Sequence, residues 1–309
     1  MMKVLLLSVL TILFLSTAGG HVSHHLRQHL NILLIGDSVD RYLVTDYCRA
    51  QNGNLCSTID EFSGTYHLTN CTSRGSGSVA LSALFQFSKR IYPWSVVICD
   101  DYEQELSLGF LFNTQGVSPH PPWFWPAKST IGLEDVDMIS NSFSVSRTFA
   151  AAQGPAIVPL LQGFGGQVDA VIVNSCFWDI GRLVTGKLGR EGGREICSNP
   201  LQRSEYVASW SQNVSHLLHA IHKHFPQARW KGWRTANYIS NAVPSCRNHL
   251  VTDMNQASYL VAKKMNLKWL DFFSFPGVAD EMRDSHHPNQ NVSATFMCQV
   301  IKQIREEIS

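Results

Sequence analysis

Three side chains of this 309-residue chain have the types needed for acyl transfer. Ser38 ends the run Asn31-Ile32-Leu33-Leu34-Ile35-Gly36-Asp37-Ser38, a buried-strand pattern that stops at Gly-Asp-Ser. Near the other end stands Asp284-Ser285-His286-His287-Pro288. A serine hydroxyl is a weak nucleophile at neutral pH; it needs a base within hydrogen-bond reach, and the base needs a third group to orient it. His287 is the expected base, and Asp284, three residues earlier, the expected orienting carboxylate, in an order that geometry permits. His286 is the rival for the base. Asp37 is read as fixing the turn and not as an acid. Arg41 is assigned Asp37 or Asp179 as partner, or else a place on the helix surface. Arg234 is read as an internal salt bridge, and Trp178 as packing beside the site.

These residues converge only if the elements carrying them share one edge of a sheet. The run 31–36 predicts a first strand, followed by a helix from Val39 to about Arg49. Trp94–Cys99, Leu108–Asn113, Val168–Asn174, Arg229–Thr235 and Leu267–Phe273 read as further strands. The run 168–174 is the clearest interior strand, since its β-branched residues are continuous. Ser204–Phe225 places Val207, Trp210, Val214, Leu217, Leu218, Ile221 and Phe225 on one helical face. Helices are also expected over Asp253–Met265, with Thr252 as cap, and over Val292–Ile308. The apolar runs between 74 and 106 are too crowded for a simple alternation and predict an insertion there. Residues 118–128, rich in proline and tryptophan, form a loop that either stacks on a sugar or acyl group or packs on the sheet edge. Alternating strand and helix predicts an α/β chain with a parallel sheet covered on both faces, in one domain over 21–309.

Composition excludes some functions and locates others. The net charge is +1 with 44% apolar residues, and the basic residues are scattered, so no nucleic-acid partner is expected. Lys3, the apolar run Val4–Leu15 and the small residues up to Gly20 read as a cleaved secretory signal over 1–20; an uncleaved Golgi or ER anchor is the competing reading. The run is short for a membrane span, and no stable membrane insertion is expected. Eight cysteines in an oxidising compartment predict disulfides. The sequence leaves the pairing open; Cys48 with Cys56 is a candidate local loop closure and Cys197 with Cys246 a longer one, and the competing reading leaves some cysteines, Cys176 above all, free and buried. Asn70, Asn213 and Asn291 each begin an N-glycosylation sequon.

Gly36-Asp37-Ser38 near the mature N-terminus, with Asp284-x-x-His287 near the C-terminus, resembles the GDSL/SGNH hydrolase superfamily. More narrowly, Gly36–Arg41, Val173–Asp179 and Trp233-Arg234-Thr235 resemble its PC-esterase branch, which includes the trichome-birefringence-like O-acetylation proteins. The resemblance covers essentially the whole mature chain. It implies a three-layer α/β/α sandwich around a central parallel sheet of about five strands, and a serine esterase or acyltransferase acting on O-acyl groups, often on carbohydrate, without metal or organic cofactor. It also implies an oxyanion hole, whose donors meet the charge developing on the carbonyl oxygen. The backbone N–H of Ser38 is one donor. Gly116 is chosen for the second, with Gly75 and Gly77 as alternatives. The superfamily's Gly-x-Asn-Asp is replaced here by Cys176-Phe177-Trp178-Asp179, so Asn174 is left either to donate or to brace the loop.

The leading expectation is a secreted, glycosylated serine esterase that removes O-acyl groups, O-acetyl above all, from a small molecule or glycan. An O-acyltransferase would use the same acyl-enzyme. A non-catalytic glycan-binding protein retaining the fold is the reading from a different class, since fold alone does not establish activity.

Overall fold

The computed structural model describes residues 29–57, 96–112, 168–177, 179–180, 196–239, 246–284 and 286–309. In chain order they form β1 (Leu30–Gly36), α1 (Ser38–Ala50), β2 (Asn54–Ser57), β3 (Val96–Asp101), β4 (Leu106–Phe112), β5 (Ala170–Val173), α2 (Pro200–His224), β6 (Trp230–Arg234), α3 (Cys246–Lys264), β7 (Lys268–Leu270) and α4 (Gln290–Ile308).

The seven strands make one sheet in the order β2-β3-β4-β1-β5-β6-β7. Five of them, β4-β1-β5-β6-β7, run parallel. The expected parallel sheet is therefore present, and β2 and β3 extend it as an antiparallel pair. The crowding of apolar runs read from the sequence has its explanation here in part. β3 returns through the tight turn Tyr102–Glu105 into β4, where a parallel crossover would have needed a helix. Residues 74–95 lie outside the described ones.

β1 is buried at every position because it is central and covered on both faces. Its side chains divide with the two-residue period of a strand. Leu33 and Ile35 join Val171, Val173 and Trp233 under α2 and α3, with Trp210, Leu218, Ile221, Val251 and Met254 filling the layer. Ile32 and Leu34 join Ala170 and Ile172 on the opposite face, under α1 and α4, against Leu43, Tyr47, Met297 and Ile304. Burying each such side chain stabilises by about 1.5–3 kcal/mol. The result is three layers, helix on sheet on helix.

Helix boundaries follow their caps. α2 begins a turn earlier than the apolar face predicts. Asn199 caps it through the amides of Leu201 and Gln202, and Pro200 occupies the first position, where no amide hydrogen bond is lost. α3 also begins earlier than expected, at Cys246, so Thr252 is an interior residue. Its hydroxyl donates to the Asn248 carbonyl and does not cap the helix. The last strand, expected over Leu267–Phe273, pairs only over Lys268–Leu270.

Cys48 is bonded to Cys99, not to Cys56. Cys48 lies on the buried side of the last turn of α1, which packs over β3, so the near neighbour in space is on that strand and not in the following loop. With a sequence separation of 51 between the partners, loop closure stabilises by roughly 4 kcal/mol in the chain-entropy model. Cys197 is also disulfide-bonded; the side chain of Cys246, its candidate partner, lies outside the described residues. Cys176 is free and buried, the competing reading for this cysteine. Among the described residues no helix is long and apolar enough to cross a membrane.

Candidate active site

The chain leaves β1 first toward β2–β4 and later toward β5–β7, so β1 is where the strand order reverses. Open α/β sheets leave a crevice at the carboxyl end of such a strand. β1 ends there with Gly36, and Asp37 caps α1 at once. The Asp37 carboxylate accepts from the Val39 amide at 2.9 Å, and Asp40 reaches back to accept from the Asp37 amide at 3.0 Å. This reciprocal capping box makes the strand-to-helix turn tight. A side chain at position 36 would place its Cβ 1.9 Å from Asp40 Oδ2, which is why glycine stands there. Ser38 is the first helical residue, half-buried, and its own amide has no partner among the described residues. That N–H lies at the positive end of α1.

The loop after β7 brings the other two side chains to the same place. Met282 and Pro288 form an isolated bridge, and the Asn289 amide donates to the Glu281 carbonyl at 2.8 Å, closing the loop at its base. His287 Nε2 lies 2.7 Å from Ser38 Oγ, and His287 Nδ1 lies 2.7 Å from Asp284 Oδ2. A carboxylate can only accept, so Nδ1 carries the hydrogen and Nε2 is left to accept from the serine hydroxyl. Asp284 Oδ1 accepts from the amides of His286 and His287 at 2.8 and 3.0 Å. Burial pushes the Asp284 carboxyl up, but the ring and the two amides outweigh it and hold it below its ordinary value. Burial pulls His287 below the ordinary imidazole value, against the opposing pull of Asp284. At neutral pH the imidazole is therefore unprotonated and able to take a proton from Ser38. His286 faces Phe177 edge-on at 5.9 Å, and its carbonyl accepts from Asn237 Nδ2 at 2.7 Å.

Beneath the serine turn lies a fully buried ionic floor. Arg234, at the end of β6, donates Nε to Asp40 Oδ1 at 2.6 Å and Nη2 to Asp40 Oδ2 at 2.7 Å. Nη2 also lies 3.5 Å from Asp37 Oδ1, and Nη1 donates to the Thr235 carbonyl at 2.8 Å. Two carboxylates thus share one guanidinium. Burial, reinforced by Asp40, pushes the Asp37 carboxyl up to about 7 against Arg234 and the amide of Val39. The salt bridge read from the sequence for Arg234 is present. Arg41 does not hold Asp37, whose cation is Arg234. Asp179 accepts from Ser175 Oγ at 2.8 Å and from Trp210 Nε1 at 2.9 Å. The Arg41 guanidinium instead lies 4.6 Å from the centre of the Tyr42 ring.

Of the expected donors, Asn174 is fully buried at the end of β5, and its side-chain amide donates to the Arg234 carbonyl at 2.8 Å. One amide hydrogen thus braces β5 against β6, and the second is the one left for any other acceptor. Gly116, Gly75, Gly77, Trp178 and the loop 118–128 lie outside the described residues, as does Asn70. Asn213 is half-buried on α2, and Asn291 is exposed in the first turn of α4.

Sequence reasoning missed Asp40, Tyr42, Asp46, Asn237 and Arg283 around this site. One signal was present: Ser38, Tyr42 and Asp46 recur every four residues on α1, so they share a helical face.

No protein-family model matches the chain, and no curated protein matches it. Solved structures that it resembles include a carbohydrate esterase family 2 enzyme with a carbohydrate binding domain from Corynascus thermopiles (Myceliophthora fergusii). There the identity is 15%, the TM-score 0.43, and 90% of this chain and 66% of that chain are covered. A putative GDSL-like lipase from Parabacteroides merdae is 12% identical with a TM-score of 0.44, covering 89% of this chain and 97% of that one. An acetylxylan esterase from Geobacillus stearothermophilus is 13% identical with a TM-score of 0.42, covering 90% and 94%. The chain thus spans about two thirds of the first of these and nearly all of the other two.

Proposed function

We propose that this protein is a serine esterase of the GDSL/SGNH type that removes O-acyl groups, O-acetyl above all, from a small molecule or glycan. The observation that carries the reading is the unbroken hydrogen-bonded chain from Ser38 Oγ through His287 to Asp284, with both links at 2.7 Å.

The steps follow from the proton positions. Ser38 Oγ attacks the ester carbonyl while His287 Nε2 takes its proton, and Asp284 stabilises the imidazolium that forms. The carbonyl oxygen becomes an oxyanion, met by the Ser38 amide at the N-terminus of α1, with Gly116 and the second amide hydrogen of Asn174 as the further donors. His287 then protonates the departing alcohol, leaving an acyl group on Ser38. Water, deprotonated by His287, attacks the acyl-enzyme; the bond to Ser38 Oγ breaks, the imidazolium returns the proton to that oxygen, and the acid is released. A sugar hydroxyl in place of water would make the same site an O-acyltransferase. Residues 1–20 direct the chain into the secretory pathway, where the Cys48–Cys99 bond is stable and Asn70, Asn213 and Asn291 accept glycans. The PC-esterase branch is the narrower assignment, on Gly36–Arg41, Val173–Asp179 and Trp233–Thr235.

Hydrolysis of p-nitrophenyl acetate by the purified mature chain tests the reading, with Ser38→Ala as control. The wild type is expected to turn over and Ser38→Ala to lose about 10³-fold or more in kcat. Equal, slow hydrolysis by both would leave the non-catalytic glycan-binding protein as the better account.

A further inference from the structure

The face of α1 that carries Ser38 continues into a second contact with the His287 loop. Tyr42, one turn on, meets the His287 ring edge-on, with centroids 4.7 Å apart. The Arg283 guanidinium covers the Tyr42 ring at 4.1 Å from its centre. Another turn along, Asp46 accepts from Arg283 Nη2 through both oxygens, at 3.0 and 2.8 Å. Asp46 is fully buried, whereas Arg283 keeps 29% of its side chain exposed. Arg283 is also tied to the base by its backbone, since its amide donates to the His287 carbonyl at 2.7 Å.

We propose that Asp46, Tyr42 and Arg283 are positioning residues that set the register of the His287 loop on α1, and so the distance from imidazole to nucleophile. This rests on the reading of Ser38 as nucleophile and His287 as base. The Met282–Pro288 bridge closes the loop at its base and Asn237 holds the His286 carbonyl, but neither contact fixes where the loop meets α1. A single ring–ring contact would let the loop slide along the helix axis. Three contacts at successive turns do not: Ser38 with His287, Tyr42 with both His287 and Arg283, and Asp46 with Arg283. The anchor is a buried carboxylate, whose desolvation is offset chiefly by Arg283, with Ser293 and Arg49 adding less. Without Arg283, Asp46 loses its principal counter-charge, so the contact resists opening, and the loop backbone is tied to it through Arg283.

The test is steady-state hydrolysis of p-nitrophenyl acetate by the full chain, alongside thermal denaturation, for Arg283→Met and Arg283→Lys. Displacement of the base by about 1 Å should lower kcat by roughly 10- to 100-fold in Arg283→Met, with KM within about twofold of wild type. Arg283→Lys, which keeps the charge, should recover most of that loss. Asp46→Asn should resemble Arg283→Met, and the double variant should be no slower than the slower single one. A folded Arg283→Met with wild-type kcat would overturn the proposal. So would a loss of kcat that follows the fall in Tm and is not recovered by lysine, which is the behaviour of a merely structural contact. Both results require an active wild type. A wild type no faster than Ser38→Ala would instead remove the esterase reading and the positioning role together.

Discussion

Arg234 and Asp40 form a two-pronged ion pair, 2.6 and 2.7 Å long, with both side chains sealed from solvent directly below the turn that presents Ser38. The pair links the end of β6 to the first turn of α1, although 194 residues separate its members. Asp40 also receives the Asp37 amide, so the guanidinium, the capping box and the Ser38 backbone belong to one unit.

Removing the cation should therefore cost far more than a surface pair would. Arg234→Met leaves two buried carboxylates with no counter-charge and should lower the unfolding free energy by about 3–5 kcal/mol. Arg234→Lys should also destabilise, since an ammonium cannot reproduce the planar fork. Chemical denaturation measures both, and a loss below about 1 kcal/mol for Arg234→Met would show that the pair is not a keystone of the turn.

Asp37 gives the turn a pH signature. Its carboxyl, raised by burial and by Asp40 from 3.8 to about 7, holds a proton in the folded state that the unfolded chain releases near pH 4. Between those values the folded state binds more protons, so this group's contribution to stability falls as pH rises. Asp37→Asn keeps a good helix cap and removes the titration. Relative to wild type, the variant should gain stability as pH is raised from about 4 to about 7.5. Denaturation curves at several pH values would show it, and a constant difference across the window would contradict it.

The proposed mechanism makes His287 the group that sets the acid limb of activity. Burial holds its imidazole below the ordinary value of 6.5, and only the unprotonated ring can take the serine proton. The kcat/KM profile should thus fall on the acid side with a midpoint below 6.5. The Asp284 carboxylate opposes the shift, so Asp284→Asn should move the midpoint lower still while reducing kcat by about 10³- to 10⁴-fold. His287→Ala should abolish turnover, and His286→Ala should leave most of it. A profile unchanged in Asp284→Asn, or a larger loss from His286→Ala, would place the base elsewhere.

The sequence was most legible where burial is symmetric and local. The runs in β1 and β5 are apolar at every position because both faces are covered, and such runs announce a central strand without help from the rest of the chain. The apolar face of α2 was equally plain, from Val207 to Phe225. Element ends were less legible, because Asn199 and Pro200 define the start of α2 through amide geometry and not through hydrophobicity. The disulfide partner of Cys48 was not legible from spacing, since the place of β3 beside α1 is set by its antiparallel pairing with β4 and not by distance along the chain.

For the candidate site, residue types and local spacing pointed to Ser38, Asp284 and His287, which the fold brings within hydrogen-bond distance of one another, because a strand-end serine and an Asp-x-x-His turn are local chemical patterns. The partner of Arg234, the bracing role of Asn174 and the anchoring of Arg283 on Asp46 were decided by the tertiary structure. An ion pair or amide contact depends on which strand ends and helix turns are neighbours in space. Sheet order sets those neighbours through packing on both faces at once, and no segment of the chain carries that information by itself.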